Sequence, residues 1–173
     1  MINMKMIYRA AALLTAAALA LSLCGCVRSS GGSADSSSAS AEQAAMTAAE
    51  LFDKVSGSGL CPELDERAEL GSDVFANACE KLYSEPAESF SDGGIMFVSS
   101  GAKADEVSVL ASDSADCKKL LEDRKQRRYK DYEGYAPAEL EKIENARIFS
   151  AGGLWVMVIS DNAEDAEKLI CGK

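Results

Sequence analysis

The sequence predicts an α+β domain built on a four-stranded, mostly antiparallel sheet in a ββαββα-like order, preceded by two N-terminal helices. Two pairs of apolar runs carry this prediction, at residues 95–98 with 107–111 and at residues 147–150 with 154–160, each pair joined by a glycine-containing turn. Apolar residues at helical spacing follow each pair. Helices that follow antiparallel strand pairs pack onto the same sheet, and we expect the long helix and the last helix to share one face.

The two N-terminal helices come before the first strand pair. Leu51, Phe52 and Val55 recur at helical spacing and predict a first helix that stops near Gly57. Ser72 is a candidate N-cap for a second helix, which Pro86 ends. The acidic residues 63–68 between these helices have no clear pattern and lack the alternating oxygen ligands and central glycine of a calcium loop.

The remaining elements follow from caps, breakers and alternation. Ser and Asp residues at 112–116 offer N-caps for a long helix that continues to about Gly134, and Pro137 separates it from a short helical turn. Residues 154–159 are apolar on both alternating faces, which is typical of a central strand covered on both sides. We expect the N-terminal helices, or a partner, to cover the face opposite the long helix. Asp161 and Glu164 predict a capping box for the last helix.

The first 25 residues have the pattern of a lipoprotein export signal. Lys5 and Arg9 precede an apolar stretch of 14 residues at 10–23, which is shorter than the roughly 20 residues that span a membrane. Cys26 follows the small residue Gly25 and lies three positions after Leu23, as lipidation and cleavage require. A plain secretory signal is the alternative. Lipidation of Cys26 would supply two acyl chains, enough for stable attachment. We therefore expect a lipid-anchored protein on the extracytoplasmic face of the cell membrane.

The predicted organisation is a signal peptide at 1–25, a lipidated and flexible Ser/Gly/Ala-rich tether at 26–42, and one domain at 43–173. Cleavage removes Lys5 and Arg9 and no acid, so 28 acidic residues face 16 basic ones, a net charge of −12. Such a charge argues against a nucleic-acid partner and against binding an anionic lipid surface. The predicted contacts are the membrane, through the lipid, and an unidentified protein, peptide or glycan.

The chain contains no histidine, which excludes Ser-His-Asp and Cys-His catalysis and histidine-ligated zinc. Four cysteines follow Cys26, and none has the C-x-x-C spacing of a zinc or redox site, so we expect no metal and no cofactor. They are either disulfide partners or buried free thiols. If the long and last helices run antiparallel on one face, Cys117 and Cys171 are near neighbours and candidate disulfide partners.

Two further groups of residues are candidate sites. Arg124 and Arg128 fall on the apolar stripe of the long helix and either extend past the sheet edge or meet a carboxylate such as Glu106. An ion pair between Glu106 and Arg124 would be structural. The second group is a set of aromatic residues that either grip a peptide or glycan or pack in the core and at helix ends: Tyr129, Tyr132, Tyr135 and Trp155.

The order of elements and several short motifs resemble a family of small Gram-positive lipoproteins catalogued as domain of unknown function 4358. The motifs are Glu106-Val107-Ser108-Val109, Arg124, Tyr135-Ala136-Pro137, and Gly153-Leu154-Trp155-Val156-Met157-Val158 followed by Asp161. The sequence departs from the family in its four domain cysteines and in residues 61–91. The resemblance implies the fold and the lipid anchor, and it supplies no catalytic residue.

The sequence leaves more than one function class open. The leading expectation is a non-catalytic binding or envelope-accessory domain, since no catalytic constellation is visible. The alternative is a carboxylate-dependent hydrolase at the cell envelope, which needs two carboxyl groups about 5 to 9.5 Å apart in a cleft. A solute-binding lipoprotein of a transporter is disfavoured, because a domain of this size lacks two lobes that close on a solute.

Overall fold

A computed structural model describes residues 45–173 as one compact unit. The predicted signal peptide, the tether and Cys26 lie outside the described residues. The helices are α1 Ala48–Ser58, α2 Asp73–Ala78, α3 Cys117–Glu133, α4 Leu140–Glu144 and α5 Ala163–Cys171. The strands are β1 Glu66–Glu69, β2 Asp92–Phe97, β3 Glu106–Ala111, β4 Arg147–Ala151 and β5 Leu154–Ile159. A π-helical turn, Cys79–Tyr83, continues α2, and short 3₁₀ turns lie at Ala87–Ser89 and Pro137–Glu139.

The strands form one antiparallel sheet in the order β1-β2-β3-β5-β4. The α+β class and the two predicted strand pairs are confirmed, and β5 lies inside the sheet, as its two apolar faces indicate. The predicted count of four strands is wrong, because β1 adds a fifth strand at the edge beside β2. In β1 only Ala68 is buried. A short, charged edge strand of this kind carries no apolar alternation that the sequence could reveal.

Helices cover both faces of the sheet. Alternate residues of β5 divide between two cores, with Val156 and Val158 on one face and Met157 and Ile159 on the other. Helices α1 and α5 pack on the first face, whereas α2 and α3 pack on the second. The prediction that the long helix and the last helix share a face is therefore wrong. Since both faces of β5 are apolar, the sequence pattern allows α5 to return on either side.

The predicted proximity of Cys117 and Cys171 fails for the same reason. Cys117, at the start of α3, lies in the core on one face, and Cys171, at the end of α5, packs against the core on the other. Cys117 is a buried free thiol, as are Cys61 and Cys79. The sheet separates the two proposed disulfide partners.

The capping box predicted for α5 is also absent. Asn162 is the N-cap residue of α5, and its side chain makes no capping hydrogen bond. Asp161 instead points towards Lys142, with its Oδ2 atom 3.5 Å from the ammonium nitrogen. The Asp161 carboxylate therefore interacts with α4 and does not cap the start of α5.

Candidate functional site

A groove opens between α2 with its π-helical turn and α3, above the end of the sheet where β2 stops and β3 begins. Its volume is about 470 Å³, within the range of small-molecule sites. The walls are mostly apolar, and charged side chains lie at the floor and at one rim. The lining residues are Val74, Asn77, Ala78, Lys81, Leu82, Ile95, Phe97, Val98, Glu106, Arg124 and Arg128.

The floor of the groove is an ion pair between Glu106 and Arg124. Arg124 donates from Nε to Glu106 Oε1 at 3.0 Å and from Nη2 to Oε2 at 2.5 Å. Ser108 donates its hydroxyl proton to Oε1 at 2.8 Å. Glu106 opens β3 and Arg124 lies on the inward face of α3, so the packing of α3 on the sheet brings them together. The predicted pairing of these two residues is therefore present.

Burial and charge act in opposite directions on Glu106. Full burial by itself raises the pKa of this carboxyl. The charges of Arg124 and Arg128 and the hydrogen bonds from Arg124 and Ser108 outweigh burial and lower the pKa below its ordinary value. Burial likewise disfavours the charged form of Arg124, yet the Glu106 carboxylate raises the pKa of Arg124 above its ordinary value. Both groups are thus ionised at neutral pH.

Arg128 stands one helical turn after Arg124 and is less completely paired. Its Nε atom is 3.5 Å from Glu106 Oε2, and this buried Nε has no hydrogen-bond partner among the described residues. Its Nη2 atom donates to the Lys103 carbonyl at 3.3 Å. The guanidinium lies over the Tyr132 ring, 4.9 Å from the ring centroid, where cation–π attraction holds its orientation.

The wall opposite α3 has an unusual backbone. Tyr83 ends the π-helical turn, and Ser84 follows with a left-handed φ of 58°. Such π-helical segments are often found at functional sites. The buried Tyr83 hydroxyl has no hydrogen-bond partner within the described residues. The pKa of Tyr83 is raised mainly by burial, and the nearby Glu106 charge raises it further. Arg127 Nη2 donates to the Leu82 carbonyl and ties this turn to α3.

A second charged cluster lies at the same end of the sheet. Lys142 donates to Asp105 Oδ2 at 2.7 Å and lies 3.2 Å from Glu139 Oε2. Burial by itself lowers the pKa of Lys142, but Asp105 and Glu139 raise it overall. Glu139 also accepts a hydrogen bond from the Ala104 backbone nitrogen at 3.0 Å. This cluster fastens α4 and the 3₁₀ turn before it to the segment that leads into β3, and Lys142 is paired with carboxylates.

The four aromatic residues predicted as a binding surface do not form one. Tyr132 is buried, and its hydroxyl donates to the carbonyl oxygens of Gly101 and Lys103. Tyr135 is exposed and packs on Tyr132 with ring centroids 5.7 Å apart. Trp155 lies near the other end of α3, beneath Lys118. Since α3 has 17 residues, its ends are about 25 Å apart.

Tyr129 lines a separate groove of about 540 Å³ between α3 and the start of β4. The cation in that groove, Lys125, donates to the carbonyl oxygens of Glu144 and Ala146. Burial lowers the pKa of Lys125. This groove therefore has a satisfied cation, in contrast to the groove that contains Arg128.

The three buried thiols, Cys61, Cys79 and Cys117, have no features of nucleophiles. Burial raises the pKa of Cys79 to about 11, and it also raises the pKa values of Cys61 and Cys117. A thiol becomes reactive when its pKa is lowered. Within residues 45–173, no group of three or more cysteines and carboxylates is arranged to hold a metal ion. No helix in this part of the chain has the length and apolarity to cross a membrane.

Comparisons with protein-family models, with curated proteins and with solved structures yield no match for this chain. The resemblance to the lipoprotein family stays a prediction that rests on the motifs quoted for it. The groove is therefore the feature of this chain that bears on function.

The sequence indicated part of this site. Two arginines on an apolar helical stripe point to Glu106, whereas nothing in the sequence predicts that Lys81, Leu82 and the rest of the opposite wall belong to the site. The available signal was the spacing of Arg124 and Arg128, which places two cations on one helix face with a single candidate carboxylate.

Proposed function

We propose that this protein is a lipid-anchored binding protein on the extracytoplasmic face of the cell membrane, and that it holds its ligand in the groove between α2 and α3 without catalysing a reaction. The observation that carries the proposal is the combination of apolar walls with an incompletely paired arginine at the floor. A few converging polar groups in an apolar pocket are typical of ligand sites. The anchor rests on the sequence around Cys26.

The charges at the site favour binding over hydrolysis. A carboxylate-dependent hydrolase needs one carboxyl group that stays protonated to act as the acid. Glu106 and Glu139 are the buried glutamates at this end of the sheet, and their cationic and hydrogen-bonding neighbours lower the pKa of each despite burial. Both are ionised and engaged in ion pairs.

Photo-crosslinking in living cells tests this function. Val74 lines the groove and is 58% exposed, so p-benzoylphenylalanine at position 74 can reach a bound ligand while the domain folds. The matched control places the same amino acid at Glu164, whose side chain is 71% exposed on α5, across the sheet. The crosslinked protein is isolated from membranes, and the mass added to it is measured.

We expect one defined mass to be added at position 74 and not at position 164. An added mass of small-molecule size identifies the ligand directly. Absence of any adduct at position 74, or the same adducts at both positions, would show that the groove is not a ligand site.

A further inference from the structure

We infer that the groove selects a small amphiphilic carboxylate and that Arg128 binds its charged end. The inference rests on the proposed function and adds the chemical class of the ligand. It follows from the distribution of charge at the floor, the incomplete pairing of the Arg128 guanidinium and the apolar walls above it.

The charges at the floor leave one cation without its own carboxylate. Both oxygens of Glu106 are engaged by Arg124, and one of them also accepts from Ser108. Arg128 approaches the same carboxylate only at 3.5 Å. The other buried carboxylates at this end of the sheet are Asp105, which is paired with Lys142, and Glu139, which is paired with Lys142 and Lys103. One carboxylate therefore serves two guanidinium groups.

Arg128 is poorly compensated for its burial. Its side chain is 14% exposed, and its hydrogen bond goes to the neutral carbonyl of Lys103. Its partner of opposite sign is Glu106, which it shares with Arg124 and approaches only at 3.5 Å. A largely buried charge that is paired this incompletely is costly, and a bound anion would reduce that cost. The planar guanidinium donates in parallel to two oxygens, which is the geometry of a carboxylate.

The surroundings of the groove favour an anion with an apolar body. Four charged residues line the groove, and three of them are basic, although the chain as a whole carries a net charge of −10. Lys81 adds positive charge at the rim. The apolar surface comes from α2, its π-helical turn and the end of β2, and is supplied by Val74, Leu82, Ile95, Phe97 and Val98. A volume of about 470 Å³ accommodates a small molecule and not a folded partner.

The experiment compares octanoate with octanamide, which have the same chain and nearly the same shape but differ in charge. The mature lipidated protein is held in lipid nanodiscs, and ligand-observed NMR gives the dissociation constants. Empty nanodiscs serve to subtract the partition of each probe into the membrane. We expect octanoate to bind about tenfold tighter than octanamide, since charged hydrogen bonds are roughly twice as strong as neutral ones.

Arg128→Gln tests the residue. Octanoate should then bind no tighter than octanamide, and octanamide binding should stay as in the wild type. Arg147→Gln is the matched control, because it removes the same charge from an exposed residue at the edge strand β4. It should keep the tenfold preference. Thermal unfolding confirms that each variant is folded.

Each outcome decides a separate claim. Equal binding of the two probes to the wild type overturns the inference that the ligand is a carboxylate. An unchanged preference for octanoate in Arg128→Gln overturns the proposed role of Arg128. If neither probe binds but a mass is added at position 74, the proposed function stands and this ligand class is wrong. A crosslinked species of protein size also overturns the small-molecule class. If Arg128→Gln does not fold, the wild-type comparison still decides the chemistry.

Discussion

Arg124 and Arg128 are separated by one turn of α3, yet their surroundings give them different roles. Arg124 makes two hydrogen bonds to Glu106, so its charge is matched inside the domain. Arg128 makes one hydrogen bond to a neutral carbonyl and keeps a buried Nε without a partner in the described chain. Removing Arg124 would leave Glu106 buried without its main partner. Arg128 is therefore the residue whose charge is available to a ligand.

The lowered pKa of Glu106 links the stability of the domain to acid pH. Its pKa is about 4.3 when the chain is unfolded and lower when folded. The ionised carboxylate therefore contributes its full stabilisation above the unfolded pKa, and this is lost as the pH falls through the folded pKa. We expect the free energy of unfolding to decrease below about pH 5, as followed by urea titration and circular dichroism.

Glu106→Gln should lower the free energy of unfolding by about 3–5 kcal/mol at pH 7, because it leaves Arg124 buried without a counter-charge. For this variant, the free energy of unfolding should also change less between pH 5 and 3 than it does for the wild type. Some slope should remain, since the pKa of Glu139 is lowered as well. Glu164→Gln, at an exposed helical pair with Lys168, should change stability by less than about 0.5 kcal/mol. Equal acid slopes for Glu106→Gln and the wild type would contradict the assignment.

At the scale of elements, two adjacent glycines in β2 let helices approach the sheet from both faces. A Cβ atom at Gly94 would overlap the Phe52 ring of α1 and lie 2.8 Å from the Ala68 carbonyl oxygen. A Cβ atom at Gly93 would lie 3.2 Å from the Phe75 ring of α2. Since Phe52 and Phe75 are fully buried, neither ring has space to retreat.

Gly94→Ala should therefore lower the free energy of unfolding by about 1–3 kcal/mol, the usual cost of overpacking a core. Gly57→Ala is the control, because a Cβ atom at this position in α1 meets nothing within 4 Å. It should stabilise the domain by up to about 1 kcal/mol through its higher helix propensity. Chemical denaturation, monitored by far-ultraviolet circular dichroism, measures both. Equal effects of the two substitutions would show that close approach at Gly94 does not limit packing.

The elements that could be predicted are those whose pattern is local. The two apolar faces of β5 predict its position inside the sheet, and the helical spacing of the apolar residues Leu51 and Phe52 predicts α1. The charged strand β1 has no such pattern, because β2 determines its pairing. The π-helical turn that ends at Tyr83 was likewise predicted only as the end of a longer helix. Its backbone depends on contacts with α3 that are distant in sequence.

At the scale of the whole molecule, the choice of sheet face could not be predicted. Val158 and Ile159 offer equally apolar surfaces to a following helix, and α5 occupies the side opposite α3. The same limit applies to the groove. The sequence could pair Arg124 with Glu106, but the apolar wall contributed by Leu82 requires α2 and α3 to lie side by side on one face.

The sequence also predicts where the domain is held. Cys26 has the neighbours that lipid transfer requires, whereas Cys24 follows the bulky Leu23. Cys26→Ser should abolish labelling with radioactive palmitate and release the protein from the membrane fraction, because the two acyl chains that make attachment stable are lost. Cys24→Ser is the control and should keep both the label and the membrane location.

The same variant separates anchoring from binding. The groove is lined by residues from Val74 to Arg128, so the released Cys26→Ser protein should bind octanoate with the affinity of the wild type. If Cys26→Ser is labelled and Cys24→Ser is not, the lipid is attached to Cys24. A released protein that no longer binds octanoate would mean that the membrane contributes to the site, since a groove formed by these residues alone needs no anchor to keep its shape.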